Sequence, residues 1–131
     1  LVVVDAYSSD AIPIHLATRE AMAIYLSKLA PRGAVLMHVS NRHLELASVV
    51  AGIAAANGLT SWHFNEDSGR DDAYVFTTDV VISARTDTDI GSLASNDKWV
   101  KTVPPADQRV WTDDYSNILG AVWRRLRDGD N

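Results

Sequence analysis

The sequence predicts an α/β domain: a mostly parallel sheet, flanking helices and an antiparallel strand toward the C-terminal end. Three observations predict it. Short, almost continuously apolar runs, Leu1-Val2-Val3-Val4 and Ala34-Val35-Leu36-Met37-His38-Val39, suit strands buried on both faces. Segments with apolar residues at helical spacing alternate with such runs, the pattern of strand-helix-strand units. The 131 residues amount to one domain and can bury a core.

The first strand is read over residues 1–6. A loop follows to Ala17, carrying hydroxyls, a second carboxylate at Asp10 and a proline at Pro13. Thr18 is an N-cap residue for a helix over 19–29, with Met22, Tyr25, Leu26 and Leu29 on one buried face. Pro31 and Gly33 stop it. Residues 34–40 read as the second strand, and Asn41-Arg42-His43 as the loop beyond its carboxyl end. The next helix spans 44–57, with a stripe of Leu46, Val49, Val50, Ile53 and Ala54, and Gly58 as its C-cap.

Residues 59–65 form a third strand and 66–72 an acidic turn. Tyr74-Val75-Phe76 with the run from Asp79 to Ala84 reads either as one bent fourth strand or as a loop leading into that strand. It follows the third too closely for a helical crossover, so the two should pair antiparallel. A short helix is expected within 86–95, and Pro104-Pro105 interrupts regular structure. A final helix over 116–126 would bury Ile118, Leu119, Val122 and Trp123. The chain opens in mid-strand without an initiator Met, so it is expected to be a piece of a longer protein.

Composition narrows the function classes. The net charge of −5, with no offsetting Lys/Arg cluster, argues against a general nucleic-acid binder. Arg124, Arg125 and Arg127 read as a last helical turn complementing the helix dipole. The absence of cysteine removes disulfides, thiolate catalysis and zinc-thiolate sites. No apolar stretch approaches the roughly 20 residues that span a bilayer. The four histidines lack metal-ligand spacing, so no metal is expected. There is no Gly-x-Gly-x-x-Gly, no Walker loop and no Gly-x-Ser-x-Gly elbow, so no cofactor site is assigned to this chain.

Ligands of open α/β sheets bind beyond the carboxyl ends of the strands. Asp5 would sit at such an end. If the first two strands are neighbours, Asp5, Asp10 and Asn41 converge on one crevice, where carboxylates can hold an amine or accept its proton. Asp10 as a turn cap and Asn41 as a helix cap are the structural alternatives. Tyr7, Ser8 and Ser9 stand beside Asp5 in sequence, and His15 could line the same crevice. His38 reads as a hydrogen-bonded core histidine, and His43 and His63 as exposed or half-exposed. Trp111-Thr112-Asp113-Asp114-Tyr115 has two readings. In one, Thr112 or Asp113 caps a helix and Trp111 packs as a staple; in the other, Trp111, Asp113, Asp114 and Tyr115 line a pocket.

The run Val4-Asp5-Ala6-Tyr7-Ser8-Ser9-Asp10-Ala11-Ile12-Pro13-Ile14-His15-Leu16 resembles the segment after the fourth strand in spermidine-synthase-like proteins. The closest subgroup is a bacterial one often fused to a membrane-spanning region. Ala34 to Arg42, ending His38-Val39-Ser40-Asn41-Arg42, and Val110-Trp111-Thr112-Asp113-Asp114-Tyr115-Ser116-Asn117 are similar to the same subgroup. The resemblance covers nearly the whole chain. It implies a partial Rossmann-like, class I methyltransferase-like fold, of which this would be the C-terminal half.

It further implies a transferase of polyamine biosynthesis, moving an aminopropyl group from decarboxylated S-adenosylmethionine to a putrescine-like diamine. Asp5 would orient the attacking amine and remove its proton, and Asp10 would grip the diamine. Spermidine synthases proper carry Asp-Ser-x-Asp-Pro, whereas here two more residues separate the carboxylates. The glycine-rich loop for the adenosyl donor is expected upstream of Leu1, so the chain alone is expected to be inactive. A cytoplasmic domain is implied, membrane-associated in a fused parent. Two alternatives stay open: a non-catalytic α/β binding or assembly module, and an S-adenosylmethionine-dependent methyltransferase-like protein. A half-sheet would expose its first strand, so a homodimer or larger assembly burying Leu1 to Val4 is expected.

Overall fold

The computed structural model describes residues 1–5, 13–41, 44–66, 78–116 and 118–128. The chain is α/β, a five-stranded mixed sheet with flanking helices. The strands are β1 (Val2–Val4), β2 (Ala34–His38), β3 (Thr60–Glu66), β4 (Thr78–Ala84) and β5 (Trp99–Thr102). The helices are α1 (Arg19–Lys28), α2 (Ala47–Ala56), α3 (Asp87–Ile90) and α4 (Ile118–Asp128), with 3-10 turns at Ile14–Leu16 and Gly91–Ser95.

The strand order is β1-β2-β4-β3-β5. This corrects the expected mostly parallel sheet. β1 and β2 are parallel neighbours, but β4 runs against both β2 and β3, and β5 runs against β3. β1, β2 and β3 therefore share one direction. The reversed β4 lies between β2 and β3, and so converts one parallel contact into two antiparallel ones. The expected antiparallel pairing of the third and fourth strands is present, from Thr60 opposite Ala84 to Glu66 opposite Thr78. β5 was not anticipated. It is a four-residue edge strand with Val100 facing solvent, which hides the apolar alternation a strand normally displays.

One sheet face carries Val4, Val35, Met37 and Val81 and packs with Met22 of α1, Val49, Val50 and Ile53 of α2 and Ala121 of α4. The opposite face carries Ala34, Ile82 and Ala84, covered by Ile90, Leu93 and Ala94. α2 is apolar almost all round because it is buried almost all round, from Ala47 to Ala54. At Gly52 an added Cβ would stand 3.3 Å from Gln108 Nε2, and that nitrogen donates to Ser48 O at 2.9 Å. The bare Gly52 backbone thus lets the segment after Pro104-Pro105 cross α2 closely. Gly58 ends α2 at φ +75°, as its place in the sequence predicts.

α1 is capped as expected: Ala21 N donates to Thr18 Oγ1 at 3.1 Å. Met22 is buried, whereas Tyr25, Leu26 and Leu29 are half-buried. α4 corrects a second expectation. Leu119 is 82% exposed and Trp123 69%, while the small Ala121 is the residue turned fully inward. The cause is a polar anchor. Glu45 N donates to Ala121 O at 3.1 Å, and the Arg124 guanidinium lies 3.5 Å from the Glu45 carboxylate. So close a backbone approach needs a small residue at the contact, which turns the large apolar side chains outward.

Candidate functional site

β1 and β2 are in register from Val2 opposite Val35 to Val4 opposite Met37, so Asp5 and His38 follow side by side at the same carboxyl-terminal edge. His38 Nδ1 lies 2.9 Å from Asp5 Oδ1, and His38 Nε2 lies 2.7 Å from Ser40 Oγ. Ser40 Oγ also accepts from Asp79 N at 2.9 Å, at the start of β4. Val39 N donates to Asp79 O at 2.7 Å, so Asp79 is held to the end of β2 from both sides of its backbone. Its carboxylate pairs with His63 Nε2 on β3. A polar line therefore runs from Asp5 through His38 and Ser40 to the Asp79 backbone, and the Asp79 carboxylate extends it to His63 in the middle of β3. The Asp5 side chain is 65% exposed and that of His38 33%, so the line opens to solvent at Asp5.

Asp5 is thus where the sequence put it, beyond the end of a strand and beside its neighbour. Asn41 is at the same edge, and its Oδ1 accepts from Leu44 N at 2.9 Å; it closes a turn ahead of α2 rather than capping that helix, whose N-cap position is Leu46. His15 is exposed in the 3-10 turn Ile14–Leu16. Tyr7, Ser8, Ser9, Asp10, Arg42 and His43 lie outside the described residues.

The structure adds His38, Ser40 and Asp79 to the cluster. The first two carried a readable signal. Residues i and i+2 of an extended strand face the same way, so His38 and Ser40 are polar neighbours at the end of an otherwise apolar run. Asp79 and the His63 pair carried none, because they depend on β4 lying between β2 and β3.

The segment from Trp111 to Tyr115 divides between its two readings. Trp111 is buried against the core, yet with Asp107, Gln108, Arg109, Tyr115 and Arg124 it lines a cleft of about 210 Å³. That is below the roughly 300–1,000 Å³ of a drug-sized ligand site. Arg109 stacks on the Tyr115 ring with 3.9 Å from guanidinium carbon to ring centroid. Asp113 and Asp114 do not line the cleft. Asp113 faces the start of α1 instead: its Oδ1 accepts from Thr18 Oγ1 at 2.8 Å, and its backbone N–H donates to Glu20 Oε2 at 3.1 Å. Backbone N–H groups, first that of Glu20 itself and then that of Asp113, hold the Glu20 carboxyl below the ordinary range, with help from Arg19.

Among the described residues no group of three His, Cys, Asp or Glu could hold a metal ion, and no helix is long and apolar enough to cross a membrane. The cleft is small for an adenosyl group, and the sequence beside the strand-end cluster holds no glycine-rich motif. Comparison of the chain with protein-family models, curated proteins and solved structures gives no match. The chemistry legible at the site is that of an exposed carboxylate oriented by an imidazole: binding an amine cation, or accepting a proton from an amine.

Proposed function

We propose that this chain is the acceptor-binding half of a spermidine-synthase-like transferase domain, partial Rossmann-like (class I methyltransferase-like) in fold, and that it receives a primary amine of a putrescine-like diamine at Asp5. The observation that carries the reading is the Asp5 carboxylate, open to solvent at the end of β1, with one oxygen engaged by the neighbouring imidazole of His38. An amine attacks the donor's propyl carbon through its lone pair as that carbon's bond to the sulfonium sulfur breaks, the pair leaving on sulfur as a thioether, and the amine must lose a proton once its new bond to carbon forms. A carboxylate within hydrogen-bond reach both orients the amine and takes that proton.

The topology supports the Rossmann-like side of the reading. β1, α1, β2, α2 and β3 alternate, the three strands share a direction, and both helices pack in one core layer. Asp10 is the natural second carboxylate for the far ammonium of a diamine. The aminopropyl donor has no assigned residues here.

Calorimetric titration of the chain with putrescine tests the proposal. Saturable binding is expected, weakened by about tenfold or more in Asp5→Asn, which removes a charge-assisted hydrogen bond. A folded Asp5→Asn variant with unchanged affinity, or the absence of saturable binding to the original chain, overturns it.

A further inference from the structure

α4 is an amphipathic helix mounted with its apolar side outward. Leu119, Trp123 and Leu126 recur at i, i+4 and i+7 and so form one stripe, and they are 82%, 69% and 63% exposed. On the opposite side Ala121 is fully buried, and Arg124 Nε lies 3.5 Å from the Glu45 carboxylate. The helix is therefore held to the domain by a small residue and a charged one, while its large apolar side chains meet solvent. Such a stripe is unfavourable in water and marks an interaction surface. We propose that it is covered by the same stripe of a second copy of this chain, the two α4 helices packing antiparallel about a two-fold axis near Trp123. This dimer does not depend on the amine reading, and it leaves the β1 edge of the sheet uncovered.

Area, symmetry and charge all favour a second copy. With the partly exposed Ile118, the stripe offers on the order of 500 Å² of open apolar surface, a single aromatic side chain carrying about 150–250 Å². Two copies together bring about 1,000 Å², the least that a specific interface buries. The dimer is therefore weak, and dilution returns Trp123 to solvent. Leu119 stands about one turn before Trp123, and Leu126 about one turn after it. An antiparallel pair thus sets Leu119 of each copy on Leu126 of the other, with Trp123 at the centre, where aromatic anchors contribute most. The charges agree. Arg125 and Arg127 lie in the last turn of α4, and the exposed Asp113 and Asp114 lie just ahead of its start. Antiparallel packing lays the basic end of each helix toward the acidic entry of the other, whereas parallel packing would bring arginine to arginine. The same two carboxylates, and the net charge of −5, oppose seating on an anionic lipid surface.

Two readouts test the proposal. The first is sedimentation equilibrium over rising concentration. A monomer–dimer equilibrium is expected, weakened about tenfold or more by Trp123→Ala and changed less than about threefold by Val3→Lys at the β1 edge. Melting curves confirm that both variants fold. The second readout is cross-linking, which is clean because the chain has no cysteine of its own. Mild oxidation of a mixture of Leu119→Cys and Leu126→Cys chains should join one of each, and either variant alone should cross-link far less. A chain that stays monomeric to millimolar concentration overturns the proposal, as does a dimer that Val3→Lys dissociates and Trp123→Ala does not. Leu119→Cys chains that join one another as readily as they join Leu126→Cys overturn the antiparallel arrangement. Trp123-dependent sedimentation with phosphatidylserine vesicles, in the absence of a dimer, assigns the stripe to lipid and overturns the self-pairing.

Discussion

Thr18 caps helix α1 and, with the same hydroxyl, donates to Asp113, 95 residues further along the chain. The contact is reciprocal, since Asp113 N returns a hydrogen bond to Glu20 and Arg19 N donates to Trp111 O at 2.9 Å. One fully buried threonine thereby ties the N-terminus of α1 to the segment that precedes α4. Thr18→Val, which keeps the shape and removes the hydroxyl, should lower stability by about 1–2 kcal/mol, the upper part of the range for losing a cap. Thr18→Ser should retain most of it. Urea unfolding checks both, with the midpoint moving and the slope unchanged.

Ser61 and Ser83 face each other across β3 and β4, their hydroxyls 2.8 Å apart and both side chains buried. Either serine changed to alanine leaves the other hydroxyl buried without its partner, at a cost of roughly 1–3 kcal/mol. The double replacement should cost less than the sum of the two, because no polar group is then stranded. A double-mutant cycle reads the difference directly, and strict additivity would show that the pair does not interact.

Asp87 sets an acid limit. The Lys101 ammonium at 2.5 Å, then the Thr60 hydroxyl and the Trp62 indole N–H, pull its carboxyl from the ordinary 3.8 down to about 2. A carboxyl whose folded value lies below its unfolded one stabilises the fold above the unfolded value, and the gain fades as pH falls toward the folded one. The window is therefore from about pH 4 down to about pH 2. Asp87→Asn should flatten the stability profile in that window and leave the rest of the acid limb in place. The Lys101 share should shrink in high salt, since the pair is exposed.

The tryptophans should report α4 unequally. Trp111 is 1% exposed and Trp123 69%. Trp111→Ala should cost about 3–5 kcal/mol as a large core deletion. Trp123→Ala should change stability by no more than about 0.5 kcal/mol. Acrylamide should quench the fluorescence component lost in Trp123→Ala and spare the one lost in Trp111→Phe. Equal quenching of the two would mean that α4 is set on its other side.

The sequence by itself determined the elements whose cause is local. Thr18 capping α1, Gly58 closing α2, the valine-rich strands and the almost wholly apolar α2 all follow from backbone geometry and periodicity within a few residues. Asp5 at a strand end was legible for the same reason, and His38 and Ser40 could have been found beside it from their i, i+2 spacing.

Only the tertiary structure decided what depends on partners distant in the chain. β4 lies between β2 and β3, which turned an expected parallel sheet into a mostly antiparallel one and brought Asp79 to Ser40. α4 turns Ala121 inward, because Glu45 anchors it through Ala121 O and Arg124. Asp113 serves α1 rather than a pocket, because Thr18 reaches it from across the fold. Strand order and helix rotation are chosen by long-range hydrogen bonds and close backbone contacts, and these leave no period in the sequence.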